Sequence, residues 1–398
     1  MGLNDTPNGE RVHIGIFGKR NAGKSSIINA ITGQNLAVVS EVSGTTTDPV
    51  SKAMELLPLG PVILTDTPGL DDSGELGKLR MEKTWQVLHQ TDIAILIVDS
   101  TKGLSDTDTE ILNAVKAKGI PHLTVYNKMD ICTSHPLHLD ETDAICVSAV
   151  SKMGIYELKE KIASLVPRNH SEFPVIRDLV KPGDRVLLVV PIDKAAPKGR
   201  LILPQQQTIR ELLDNGSISI VVRDSELEET LQSLPQKPAL VVTDSQVFQK
   251  VSETVPKEIA LTSFSILFAR HKGNLKATLT GTQTLESIKD GDKILICEGC
   301  THHRQCGDIG TEKLSAWIRK YTGCSPSFSF TSGAQFPHSL SEYRMIIHCG
   351  GCMQNENEMK HRYRMASDAG IPMTNYGIVI AYMNGILERS IEILKGKY

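Results

Sequence analysis

Residues 12–25 read VHIGIFGKRNAGKS, a strand-length apolar run passing straight into a glycine-bearing loop that closes on Lys24 and Ser25. Few folds can use that order. The glycines of Gly18–Ser25 let successive backbone N–H groups approach an anion, and the helix expected to follow adds the positive end of its dipole. Lys24 supplies charge for the outer phosphates and the Ser25 hydroxyl a ligand for magnesium. Such a loop needs a strand behind it and a helix ahead, which predicts an α/β domain on a parallel sheet.

Three further strand ends carry matching chemistry, in order along the chain. Asp66 and Gly69, in PVILTDTPG, put a carboxylate near the metal and an N–H near the terminal phosphate. Asn127, Lys128 and Asp130 close HLTVYNKMD; the Asp130 carboxylate can accept from both the ring N–H and the amine of guanine, a pair adenine lacks. Ser148 and Ala149, after AICV, suit the base carbonyl. With Gly18, Asn21, Ala22, Gly23, Lys24, Ser25 and Ser26 these residues predict a GTP/GDP and magnesium site.

From Arg11 to about Pro167 apolar strands alternate with helix-length segments, and the polar PRNHSEFP at 167–174 reads as a linker. Alternation resumes with VLLVVPI, SISIVV and ALVVTD and a helix over Pro204–Leu213. Lys194 and Lys198 read as a solvated loop. The last block offers KILICEG, SFSFTSG and YRMIIHCGG, then helices over Asn355–Ala369 and Ile378–Leu394. The expected domains are 1–172, a P-loop GTPase domain, then two smaller α/β domains over 173–267 and 268–398. No repeat period is evident.

Composition removes several classes of function. The formal charge is -3, with 46 acidic against 43 basic residues, so no strong basic field is available for nucleic acid. The longest apolar runs are strand-sized, too short for a bilayer. The start lacks the basic and apolar regions of a signal peptide, and its MGLNDT agreement with a myristoylation pattern is read as chance. A reducing, cytoplasmic setting is expected, and no membrane or nucleic-acid partner.

In that setting clustered cysteines point to metal rather than disulfides. Six of eight lie in the last third: Cys297, Cys300, Cys306, Cys324, Cys349 and Cys352. Cys349 and Cys352 form a CxxC, able to bring two sulfurs to one centre from a single turn. Strand alternation puts Cys297 on a packed face as a buried free thiol. Cys324, Cys132 and Cys146 read as incidental.

The G-domain residues GKRNAGKSS and GTTTD (Gly44–Asp48) resemble the Era and TrmE type of GTPase. That resemblance implies Thr46 as the switch threonine on magnesium, with Thr45 and Thr47 as alternatives of register, and potassium at Asn21. Leu70 stands where small G proteins have a water-orienting glutamine, so hydrolysis is expected to be slow and potassium-stimulated. The water-positioning residue stays open among Glu75, Asp71 and Asp72, each also readable as a solvated loop.

Cys300–His302 as CxH, His348–Cys352 as HCxxC and the segment PKGRLILPQQQTIRELL together resemble the HydF family, the GTPase and scaffold of [FeFe]-hydrogenase maturation. The resemblance covers essentially the whole chain. It implies a [4Fe-4S] cluster on Cys300, Cys349 and Cys352, with His302 or His348 as possible fourth ligand, and a dimerising middle domain. It also implies a transiently held di-iron subcluster precursor, two radical-SAM maturases that build it and the apo-[FeFe]-hydrogenase that receives it. The alternative is an Era or TrmE-like GTPase of RNA modification or ribosome assembly with a carboxyl-terminal zinc module; a third reading is an assembly protein that binds nucleotide without turnover.

Overall fold

The computed structural model describes residues 6, 8–33, 49–68, 75–132, 143–166, 173–192, 201–272, 275–299, 309–333, 335–337 and 339–397. They divide into two compact units, one over 6–168 and one over 169–398.

In the first unit six strands, β1 (Val12–Phe17), β2 (Val50–Leu56), β3 (Gly60–Asp66), β4 (Ile93–Asp99), β5 (His122–Asn127) and β6 (Ala144–Cys146), form one sheet in the order β2-β3-β1-β4-β5-β6. Only the β2 and β3 pairing is antiparallel. Parallel strands covered on both faces lose their alternation, and all seven residues of β4 are buried. The strand order reverses at β1, flanked by β3 and β4, which opens a crevice at its carboxyl end. There the chain enters the glycine-bearing loop and then the helix Lys24–Thr32.

The second unit holds two four-stranded parallel sheets. In one, β7 (Arg185–Val189), β8 (Ile218–Val222), β9 (Leu240–Thr243) and β10 (Ala260–Ser263) lie in the order β10-β9-β7-β8. The other arranges β11 (Lys293–Glu298), β12 (Ser327–Ser332), β13 (Met345–His348) and β14 (Met373–Asn375) as β12-β11-β13-β14. Numbered within each sheet, both read second, first, third, fourth.

The likeness extends to register and turns. Val186 pairs with Leu240 as Ile294 pairs with Met345, and Leu261 faces Val241 as Met373 faces Ile346. Each first strand is entered through Lys-x-Gly-Asp: Asp184 accepts from the Lys181 amide at 2.8 Å and Asp292 from the Lys289 amide at 2.8 Å, with Gly183 at φ 85° and Gly291 at φ 83°. Each fourth strand ends in a helix cap, Ser263 before Phe264–His271 and Asn375 before Tyr376–Met383. Internal repetition, not expected from the sequence, is therefore present. Divergence outside these few positions and unequal connections hide it from any fixed period.

The two halves meet through the capped helices. A Cβ on Gly377 would lie 2.3 Å from the Ser265 Cβ, and these residues occupy the same place in each half. Ile378, Ala381, Ile386, Ile391 and Leu394 join the apolar core of the middle half, so the chain's end seals the first of the two sheets. The helix expected over 378–394 is interrupted at Asn384 and Gly385, the latter at φ 68°, before Leu387–Ile391. A boundary at 267/268 falls inside the helix Phe264–His271.

Candidate nucleotide and metal sites

In the first unit, no side chain caps the helix Lys24–Thr32; its cap position is Gly23, at φ 96°, and its amide end is left to a ligand. Only glycine fits there, since a Cβ would stand 2.2 Å from the Asn127 Nδ2. Asn127, 2% exposed, ties two parts of the site together: Nδ2 donates to the Ala22 carbonyl at 3.0 Å, and Oδ1 accepts from the Ala149 amide at 3.1 Å. Lys24 donates to the carbonyls of Gly18 and Lys19 at 2.9 and 3.0 Å, folding its ammonium over the loop. Asn21 takes φ 60° in the same loop, and Ser26 lies in the first turn of the helix.

Ser25 Oγ donates to Asp66 Oδ2 at 2.9 Å, and Asp66 Oδ1 is buried with no bonding partner. Burial pushes the Asp66 carboxyl above its usual range, against the Lys24 charge and the Ser25 bond. An orphaned buried carboxylate oxygen beside a hydroxyl fits a divalent cation, whose charge would reverse that shift, so Ser25 and Asp66 suit magnesium. On the base side, Ser148, fully buried, donates to Asp130 Oδ1 at 2.6 Å and fixes an otherwise exposed carboxylate.

Asp99, at the end of β4, was not singled out by sequence. It accepts from Lys128 Nζ at 2.7 Å and from the Thr101 hydroxyl at 2.7 Å. Burial alone would raise its pKa, but the bonds from Lys128 and Thr101 prevail and hold it below the usual carboxylate range. Its only signal was an acidic residue closing the run IAILIVD. Thr45, Thr46, Thr47, Gly69, Leu70, Asp71 and Asp72 lie outside the described residues, as does the side chain of Glu75.

In the second unit the order of the last sheet reverses at β11, between β12 and β13, so the crevice opens where β11 and β13 end. Cys297 pairs with His348 across it, and the Cys349 amide donates to the Cys297 carbonyl at 2.8 Å. Cys349 Sγ accepts from the amides of Gly299 at 2.9 Å and Gly351 at 3.4 Å. Gly351 holds φ 63°, and a Cβ on it would meet Met359 Sδ at 2.7 Å. Gln354 Nε2 donates to the carbonyls of Gly299 and Gly333, at 2.8 and 3.1 Å, and closes the crevice floor.

Burial pushes the Cys352 thiol up to about 11 and raises Cys349 too, the latter against its two amide donors and Arg362. Sulfurs so placed keep their protons near neutral pH until a metal displaces them to solvent, and the amide donors suit a thiolate, so the pair fits a thiolate-held cluster. Cys297 is fully buried, its thiol pushed up to about 12 by burial, as a packed free cysteine would be.

His348 is fully buried, and burial followed by the Arg362 charge pushes it down to about 3. Nδ1 lies 2.8 Å from the Cys349 carbonyl and Nε2 2.9 Å from an Arg362 nitrogen, so both ring nitrogens are committed to protein partners. Ligation through either would break one of these bonds. Cys300, His302, His303, Cys306 and His338 lie outside the described residues; among those described, no group of three His, Cys, Asp or Glu residues is arranged to hold a metal.

Residues 13–128 match the 50S ribosome-binding GTPase family, 175–273 the hydrogen maturase F dimerization domain and 276–393 the hydrogen maturase F tetramerization domain. The tRNA modification GTPase MnmE of Dechloromonas aromatica is 31% identical over 164 residues, 40% of this chain and 36% of that protein. GTPase Der of Kosmotoga olearia is 31% identical over 170 residues, 38% of each. Well under half of these relatives' length is thus matched. Era of Aquifex aeolicus is 22% identical over 53% of this chain and 92% of its own, with a TM-score of 0.35.

Proposed function

Because the chain belongs to the hydrogen maturase F family, we propose that it hydrolyses GTP and carries a [4Fe-4S] cluster from which a di-iron precursor passes to apo-[FeFe]-hydrogenase. The observation that carries the cluster half is Cys349 Sγ at the reversal of the last sheet, bonded by the amide of Gly299, the residue before Cys300. Cys300, Cys349 and Cys352 would hold the cluster. When bound, a cluster on three thiolates supplies an iron position open to a further iron fragment. The chain's own part is to hold the sulfurs: Gly299 and Gly351 orient Cys349, and Gln354 fixes the loops on either side.

For the nucleotide half, Lys24 would neutralise the outer phosphates, Ser25, Asp66 and Thr46 would hold magnesium, and Asp130, fixed by Ser148, would read guanine. Potassium at Asn21 would add positive charge at the phosphates, with hydrolysis slow without it. The two radical-SAM maturases are the expected donors of the precursor, and a reducing cytoplasm suits cysteines that form no disulfide among the described residues. Dimerisation and tetramerisation domains accord with an oligomer. Among the described residues no helix is long and apolar enough to cross a membrane.

The test is anaerobic reconstitution followed by iron, sulfide and zinc analysis, then activation of apo-hydrogenase by protein made with the maturases. Cys300→Ala, Cys349→Ala and Cys352→Ala should each abolish activation. Stoichiometric zinc without iron would instead favour a GTPase bearing a zinc module, and absent GTP turnover in potassium would leave a nucleotide-binding assembly protein.

A further inference from the structure

The helix Glu356–Asp368 begins four residues after Cys352 and carries Glu358 and Arg362 one turn apart, facing inward. Arg362 is fully buried and Glu358 4% exposed. Each guanidinium nitrogen has its own partner: Nε donates to Glu358 Oε1 at 2.7 Å, Nη1 to His348 Nε2 at 2.9 Å and Nη2 to the Gly333 carbonyl at 2.9 Å. The Phe336 ring covers the group, its centroid 5.2 Å from Cζ.

These partners fix the proton on His348. Arginine can only donate, so Nε2 accepts; a carbonyl can only accept, so Nδ1 carries the proton and donates to Cys349 O. The imidazole is neutral, and the guanidinium charge stands one bonded ring behind Cys349. Such a group is costly to bury, and removing Arg362 would leave His348 Nε2 and the Gly333 carbonyl without their donors. A second buried cation, Lys272, donates to the carbonyl of Gln354, two residues after Cys352.

We propose that Arg362 is a positioning residue that sets the reduction potential of the cluster: its charge favours the reduced, more negative state, and its bond to His348 holds the Cys349 backbone. The proposal rests on the cluster reading above. Glu358 is bonded on the Nε side, away from the nitrogens that face His348 and Gly333, so the pair presents its positive end toward the cysteine loop. The step concerned is one-electron reduction of the cluster by a dithionite-class reductant, in which no bond forms or breaks. A unit charge acting at roughly 10 Å through an effective dielectric of about 20 biases such an equilibrium by about tenfold.

The experiment is a redox titration of the anaerobically reconstituted full chain, followed by visible absorption and electron paramagnetic resonance. Arg362→Gln should shift the reduction equilibrium about tenfold toward the oxidised cluster, a potential lower by about 59 mV. Arg362→Lys, which keeps the charge, should stay much closer to the parent. Glu358→Gln, which removes the counter-charge, should shift in the opposite sense. A structural role would move both glutamine variants the same way or empty them of iron. Either result, or unmoved potentials at full iron content, overturns the proposal alone; if Arg362→Gln does not fold, the sign for Glu358→Gln decides. A parent protein that takes up no iron removes the cluster reading itself.

Discussion

The two halves of the second unit share strand order, register, entry turn and capped closing helix, yet end their third strands differently. After β9, Asp244 Oδ1 accepts from the amide of Gln246 at 3.0 Å; after β13, Cys349 Sγ accepts from the amide of Gly351, also two residues on, at 3.4 Å. The scaffold puts a side-chain acceptor over the same turn in both. In the middle half a carboxylate there caps a short helix, while in the last half a sulfur there gains a second donor, Gly299, from the neighbouring strand end. On the cluster reading proposed above, such a site would need little new backbone. It needs a softer acceptor at an existing capping position and cysteines beside it.

The largest expected effect separates the two acceptors. Cys349→Ala should leave no more than background iron after reconstitution with the fold intact by circular dichroism. Asp244→Ala should cost about 1 kcal/mol of stability through the lost cap and leave iron content unchanged. Iron loss in both variants would break the comparison, because the middle turn would then share in the site.

Next in size is the contact between the halves. Gly377→Val should destabilise the unit by about 1–3 kcal/mol in denaturant unfolding, since even a Cβ would overlap Ser265. Ser265→Gly in the same chain should return part of that loss. Without such rescue, the pairing of equivalent helix positions would not be what fixes the two halves together. A smaller effect is expected in the cysteine loop: Gly351→Ala should cost about 1–2 kcal/mol through its left-handed backbone and lower cluster occupancy. Gly350→Ala, with open space around it, should do neither.

The strands that carry long apolar runs were legible, and so was the habit of placing chemistry at their ends, because burial of a parallel sheet demands both. β10 (ALTS) and β14 (MTN) were not, because their threonines, serine and asparagine break the apolar run that makes the equally short β9 and β6 visible. Glu358 and Arg362 carry no signal in sequence beyond their place on the helix expected over 355–369; packing against Gly333, Phe336 and His348 makes them interior. Sequence leaves His348 as a possible ligand; only the fold shows its two ring nitrogens bonded to the Cys349 carbonyl and Arg362. Asp99 escaped notice because its role depends on Lys128, 29 residues away.

The smallest expected effect is a pH dependence confined to the middle half. His271 closes the helix Phe264–His271 and lies 2.8 Å through Nδ1 from the Phe173 carbonyl, whereas Met383, which cannot titrate, stands at the equivalent place in the last half. Burial lowers the His271 pKa first, Lys272 and Arg270 add to this, and the Phe173 bond and Glu356 oppose it. The folded chain therefore holds the neutral ring while the unfolded chain takes up a proton near pH 6.5. Stability from this group is complete above that pH, declines as pH falls from about 6.5 to the lower folded value, and then levels. One proton gives a slope of at most about 1.4 kcal/mol per pH unit. His271→Gln, which keeps a donor for Phe173, should flatten the midpoint of urea unfolding across this window. An unchanged slope would assign the acid sensitivity to another group.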